Sequence, residues 1–220
     1  MIRKLFLSSA LSILFLLPQN VFGQENITSF SSYWKHKVDQ FRILPNPKGE
    51  ICFLGDSITD GGNWTELIGS LRVTNRGISS DTAWGIMKRI DEVTSGQPAK
   101  VFLMIGTNDL SRAKTVTEVR DKIAEIIDTI HKDSPKTQIY LESVLPVIDA
   151  KTGPYQNKNI NPLNEELVKL ASSKKATWVN LAPLFKDESG QLKTEFSEDG
   201  LHLNGKGYQL WYSQMKQYLK

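Results

Sequence analysis

Short runs rich in strand-forming residues are separated along the chain by longer stretches in which apolar positions recur every three or four residues. Ile51–Leu54, Arg72–Asn75, Val101–Ile105, Gln138–Leu141 and Thr177–Leu181 read as strands. The segments between them carry the helical period. Val116–His131 is the clearest, with Val119, Ile123, Ile126, Ile127 and Ile130 on one face after a Thr115/Thr117 start; Leu163–Leu170 and Gly207–Leu219 follow. Upstream, Phe30, Trp34, Val38 and Phe41 predict an amphipathic helix ended by Pro45 and Pro47. A strand with one wet face would alternate, so nearly continuous apolar strands that each feed a helix point to a parallel sheet covered on both sides. The expected class is α/β: a three-layer α/β/α sandwich on a central, mainly parallel, five-stranded sheet. In such folds a ligand lies beyond the carboxyl ends of the strands, where strand order reverses.

The first residues change this picture at one end. Arg3 and Lys4 precede the apolar run Leu5–Leu17, and Val21-Phe22-Gly23 supplies a small residue for cleavage, the parts of a secretory signal. A membrane anchor competes, but Pro18, Gln19 and Asn20 interrupt the run well short of the ~20 apolar residues a span requires. The expected organisation is a signal peptide over 1–23 and one domain over 24–220, of which 24–47 forms a helical extension packed on the rest. The protein is then exported, periplasmic or secreted, with no stable membrane insertion once the signal is gone. The formal charge of +3 falls to about +1 when Arg3 and Lys4 leave, and the remaining charges are interspersed, which gives no reason to expect a nucleic-acid partner. Cys52 is the single cysteine, so no internal disulfide can form; inside Ile51-Cys52-Phe53-Leu54 it reads as a small buried strand residue.

Candidate chemistry sits just after the strands. In Gly55-Asp56-Ser57-Ile58-Thr59-Asp60, a serine on a tight strand-to-helix turn can expose its hydroxyl above the sheet, as an acyl-transfer nucleophile must. The same turn is also an ordinary helix cap, and Gly-x-Ser-x-Gly is absent. Asn75-Arg76-Gly77 and Gly106-Thr107-Asn108-Asp109 place a glycine N–H and an asparagine amide at the same rim, although both residue types are common in turns. Asp199-Gly200-Leu201-His202 sets a carboxylate three residues before an imidazole, a spacing that lets the aspartate accept the Nδ1–H and leaves Nε2 free. The other histidines, His36 and His131, lie in helical patterns and read as surface residues.

Taken together, Gly-Asp-Ser-Ile-Thr, Asn-Arg-Gly, Gly-Thr-Asn-Asp and Asp-Gly-Leu-His resemble the ordered blocks of the SGNH (GDSL-type) hydrolases, from Ile51 to the last helix. Ile58 stands where the first block usually has leucine, an apolar exchange. The resemblance implies the flavodoxin-like fold of that family and a serine esterase with Ser57, His202 and Asp199 as nucleophile, base and orienting acid. It implies an oxyanion hole from the N–H groups of Ser57 and Gly77 and the Asn108 amide. It calls for no cofactor or metal. Asp56 and Asp109 read as loop-fastening acceptors. The expected substrate is a small-molecule or oligosaccharide ester, with acetyl groups on carbohydrate favoured; a lysophospholipase or thioesterase and a non-catalytic carbohydrate-binding protein are the rivals. Trp64 and Trp84 could stack on a sugar or pack in the core, and the polar stretch Asp149–Asn161 is expected to wall the cleft as a loop. Oligomeric state is not legible.

Overall fold

The computed structural model describes residues 30–219, so the expected signal peptide over 1–23 lies outside the described residues. Five strands form one sheet: β1 (Ile51–Gly55), β2 (Val73–Gly77), β3 (Lys100–Met104), β4 (Gln138–Glu142) and β5 (Thr177–Val179), in the order β2-β1-β3-β4-β5. Every pairing is parallel, with Phe53 opposite both Asn75 and Phe102. The chain leaves β1 towards one edge and returns past it to β3, so the order reverses beside β1.

Alternate strand residues serve opposite faces. Cys52, Leu54, Val101, Leu103, Ile139 and Leu141 pack on one side against helices α4 (Ala83–Thr94), α6 (Val116–Asp133) and α8 (Asn157–Ser173). Phe53, Phe102, Met104 and Tyr140 pack on the other against α3 (Trp64–Ile68) and the C-terminal helix Gly205–Met215. Trp64 is only 1% exposed and stacks on Phe53 at 4.1 Å, edge-on to Trp211, so it belongs to the core and not to a sugar platform. Trp84 is half-buried beneath the ammonium groups of Lys114 and Lys122. Cys52 is fully buried, and burial pushes its thiol well up.

The apolar stripe of α6 runs from a capping box in which Thr115 and Glu118 satisfy each other's N–H groups. Helix α1 (Ser32–Ile43), capped by Ser31, lays Trp34, Val38 and Phe41 onto Ile78 and donates from Trp34 Nε1 to buried Asp81 (2.9 Å). Its Tyr33 and Lys37 reach Asp60.

Several boundaries depart from the sequence pattern, β2 running on to Gly77 among them. Strand β5 stops at Val179 because the N–H groups of Leu181 and Ala182 turn to Ser143 Oγ (2.9 and 2.8 Å). The stretch expected to be a loop over Asp149–Asn161 is mostly helical: α7 covers Asp149–Thr152, and α8 begins at Asn157 and continues through Pro162. Asn157 bonds the N–H and the carbonyl of Val147, and Ile160 is buried. These contacts hold the first turns of α8 although Pro162 lacks a hydrogen-bond donor.

Candidate active site

Ser57 opens the short helix α2 (Ser57–Asp60) at the end of β1, where Asp56 accepts the Ile58 N–H at 3.0 Å. The turn is tight. A Cβ on Gly55 would sit 2.3 Å from Thr59 Oγ1 and 2.4 Å from the Met104 carbonyl, and one on Gly77 would sit 2.2 Å from the Asp60 nitrogen. Asn75 binds the same turn, its amide donating to the carbonyls of Thr59, Asp60 and Gly62 at 2.9–3.0 Å. The sequence pattern flagged Gly77 but did not single out Asn75, which shows as a clamp only when the carbonyls ending α2 lie beside it.

His202 stands across from Ser57. Its Nε2 lies 2.9 Å from Ser57 Oγ, and its Nδ1 lies 2.6 Å from Asp199 Oδ2. The other Asp199 oxygen accepts the N–H groups of Leu201 and His202 at 2.9 and 2.8 Å. Gly200, at φ +86°, makes this compact loop possible. Partial burial raises the Asp199 pKa, but the hydrogen bonds from the His202 ring and the two N–H groups outweigh it and hold the carboxyl at about 2. An ionised carboxylate can only accept, so Nδ1 carries the hydrogen, and in the neutral ring Nε2 accepts from the Ser57 hydroxyl. The pair remains in contact with solvent, with side-chain exposures of 45% for His202 and 55% for Asp199.

Asn108 lies in α5 (Thr107–Ser111), entered through Gly106 at φ +133°. It is buried; its Nδ2 donates to the Asp81 carbonyl (2.9 Å), and its Oδ1 accepts from the Tyr155 hydroxyl (3.1 Å). The Gly77 N–H donates to Asn75 Oδ1 at 2.8 Å, so one of the three expected oxyanion donors already has a partner in its own turn. The structure thus brings Ser57, His202 and Asp199 into one hydrogen-bonded line. It sets Gly77 against α2 and Asn108 on the neighbouring strand end.

Beneath these groups the carboxyls are enclosed. Asp109 accepts the Ala83 N–H with both oxygens (2.9 and 3.1 Å), and Asp81 receives Arg89 Nε at 2.9 Å. Burial pushes Asp56 and Asp109 up to about 7, against the N–H bonds from Ile58 and Ala83. Burial likewise raises Asp81, opposed by Arg89. Among the described residues no group of three His, Cys, Asp or Glu side chains could hold a metal ion.

The chain belongs to the GDSL-like lipase/acylhydrolase family, whose model matches residues 53–210. Among curated relatives it is similar to platelet-activating factor acetylhydrolase IB subunit alpha1 of Rattus norvegicus, 28% identical over 72% of this chain and 70% of that one. The human alpha2 subunit is 29% identical over 80% and 78%. Among solved structures, a Streptococcus pneumonia protein provisionally described as a platelet activating factor superposes with a TM-score of 0.77 at 30% identity, covering 86% of this chain and 93% of its own. An acetylxylan esterase from Geobacillus stearothermophilus shares the fold at 19% identity and a TM-score of 0.65, covering 78% and 94%.

Proposed function

We propose that the protein is a serine esterase that removes acetyl and other short acyl groups, with carbohydrate as the favoured alcohol partner. The observation that carries this reading is the unbroken line from Ser57 Oγ through the His202 ring to Asp199. Ser57 attacks the ester carbonyl as its proton passes to His202 Nε2. Asp199 stabilises the resulting imidazolium, and His202 returns the proton to the leaving alcohol. Water then repeats the sequence on the acyl-enzyme. The developing oxyanion takes hydrogen bonds from the Ser57 N–H and from Asn108 Nδ2, with the Gly77 N–H joining once Asn75 Oδ1 releases or shares it.

Two further features support the substrate class. The recess beside His202 holds about 180 Å³, small for a fatty chain, and is lined by Glu198, Asp199, His202, Leu203 and Asn204. A second recess of about 390 Å³ begins two residues beyond Gly77 and is lined by the hydroxyl-bearing Ser31, Tyr33, Ser79 and Ser80, groups suited to the hydroxyls of a sugar. The relatives' name, acetylhydrolase, points to the same acyl group.

The test is a p-nitrophenyl ester series from acetate to decanoate, followed by acetylated xylo-oligosaccharide, acetylated sialic acid and lysophospholipid. Activity should be highest on acetate and vanish in Ser57→Ala. Rising activity towards decanoate would transfer the assignment to a lysophospholipase or thioesterase, and an active Ser57→Ala would remove the nucleophile.

A further inference from the structure

The segment between β4 and α8 touches both sides of the site. The Ile148 N–H donates to the Gly200 carbonyl (2.9 Å) and Lys151 Nζ to the Glu198 carbonyl (3.1 Å), bracing the loop that bears Asp199 and His202. Further along the same segment, the Tyr155 hydroxyl donates to Asn108 Oδ1 at 3.1 Å. The segment is itself held firmly: Asp149 Oδ1 accepts from the backbone and side chain of Asn157 (2.8 and 3.0 Å), and Thr152 Oγ1 donates to the Tyr155 carbonyl (2.9 Å).

We propose that Tyr155 is a positioning residue that orients and polarises the Asn108 amide for the oxyanion, an inference that rests on the esterase reading above. The Asp81 carbonyl can only accept, so it fixes that side of the amide as nitrogen; the other side is then oxygen, and the Tyr155 hydroxyl facing it donates. A flipped amide would face two oxygens at Asp81. Only one Nδ2 hydrogen is engaged by Asp81, which leaves the second for a ligand. A hydrogen bond received at Oδ1 draws density from Nδ2 and strengthens that remaining donor. Negative charge on the substrate oxygen appears only as the tetrahedral species forms, so the contribution belongs to kcat and not to KM. Because Tyr155 shares a segment with Ile148 and Lys151, the amide and the His202 loop are held to one brace.

The experiment uses the full chain with p-nitrophenyl acetate. Tyr155→Phe keeps the ring and loses the donor; kcat should fall by about five- to thirtyfold while KM stays within about twofold. In an Asn108→Ala background the same substitution should change kcat by less than about twofold, because its target is gone. An unchanged kcat in Tyr155→Phe would overturn the proposal, as would an equal proportional loss with and without Asn108. Ser57→Ala, measured alongside, separates the two levels. If it is inactive while Tyr155→Phe is unaffected, the positioning role alone falls; if it is active, the esterase reading falls with it.

Discussion

The Asp199–His202 loop and the enclosed trio Asp56, Asp81 and Asp109 both bring carboxyls to one site, under opposite conditions. Asp199 is more than half exposed, accepts two backbone N–H groups as well as the imidazole, and stays ionised down to about pH 2. Asp56 and Asp109 are 2% and 1% exposed, and burial lifts both to about 7. The difference is one of solvation and donors, since the side chain is the same. On the proposed esterase reading, the carboxylate that would steady an imidazolium is left where water and N–H groups keep it ionised. Carboxyls whose work is to accept the N–H groups of Ile58 and Ala83 can be enclosed and hold a proton near neutrality.

The largest effect that would sharpen this contrast is at the exposed side. Asp199→Asn removes the charge and offers the imidazole the wrong partner, and kcat on p-nitrophenyl acetate should fall by about 10³–10⁴-fold. A loss under tenfold would place the orienting charge elsewhere.

Burial without a site can be isolated at Glu142, a 1%-exposed carboxyl whose hydrogen-bond partner is Trp211 Nε1 (2.7 Å). Burial pushes its pKa up to about 8, opposed only by that bond. The folded chain therefore binds this proton more tightly than the unfolded one. Stability from Glu142 is fully present below about pH 4.5 and is lost as pH rises through about 8. Glu142→Gln should make urea denaturation less pH-dependent over that window and leave the variant about 1–3 kcal/mol more stable than the parent at pH 9. Parallel pH profiles would show that the carboxyl finds ionic compensation when it titrates.

The smallest effect is expected within the buried trio. Asp109→Asn imitates the protonated acid and keeps an acceptor for the Ala83 N–H, so kcat/KM at pH 6 should change by less than about threefold. A fall as large as that of Asp199→Asn would erase the distinction between the two kinds of carboxyl.

The strands and the long helices were legible in the chain because their signals are local. The stripe from Val119 to Ile130 and the block around Ser57 each lie within one element and its turn. The reading was weakest where partners lie far apart in sequence. Trp64 has the same polarity in a cleft as in a core, and only the stack on Phe53 decides it. The helical start at Asn157 rests on Val147, and the Gly77 N–H is occupied by Asn75 Oδ1, a contact of two residues that spacing alone did not disclose.

The α/β class, the covered parallel sheet and the short blocks that bring a serine, a glycine, an asparagine and an Asp-His pair to strand ends and a late loop are all written in the order of the residues. Periodicity and turn chemistry are properties of neighbouring residues, and they survive in a one-dimensional reading. The strand order, the meeting of Ser57 with His202, the enclosure that separates Asp109 from Asp199, and the reach of Tyr155 to Asn108 emerge only in the folded chain. Hydrogen-bond geometry and desolvation depend on what surrounds a group in space, and for these residues the surroundings come from distant parts of the chain.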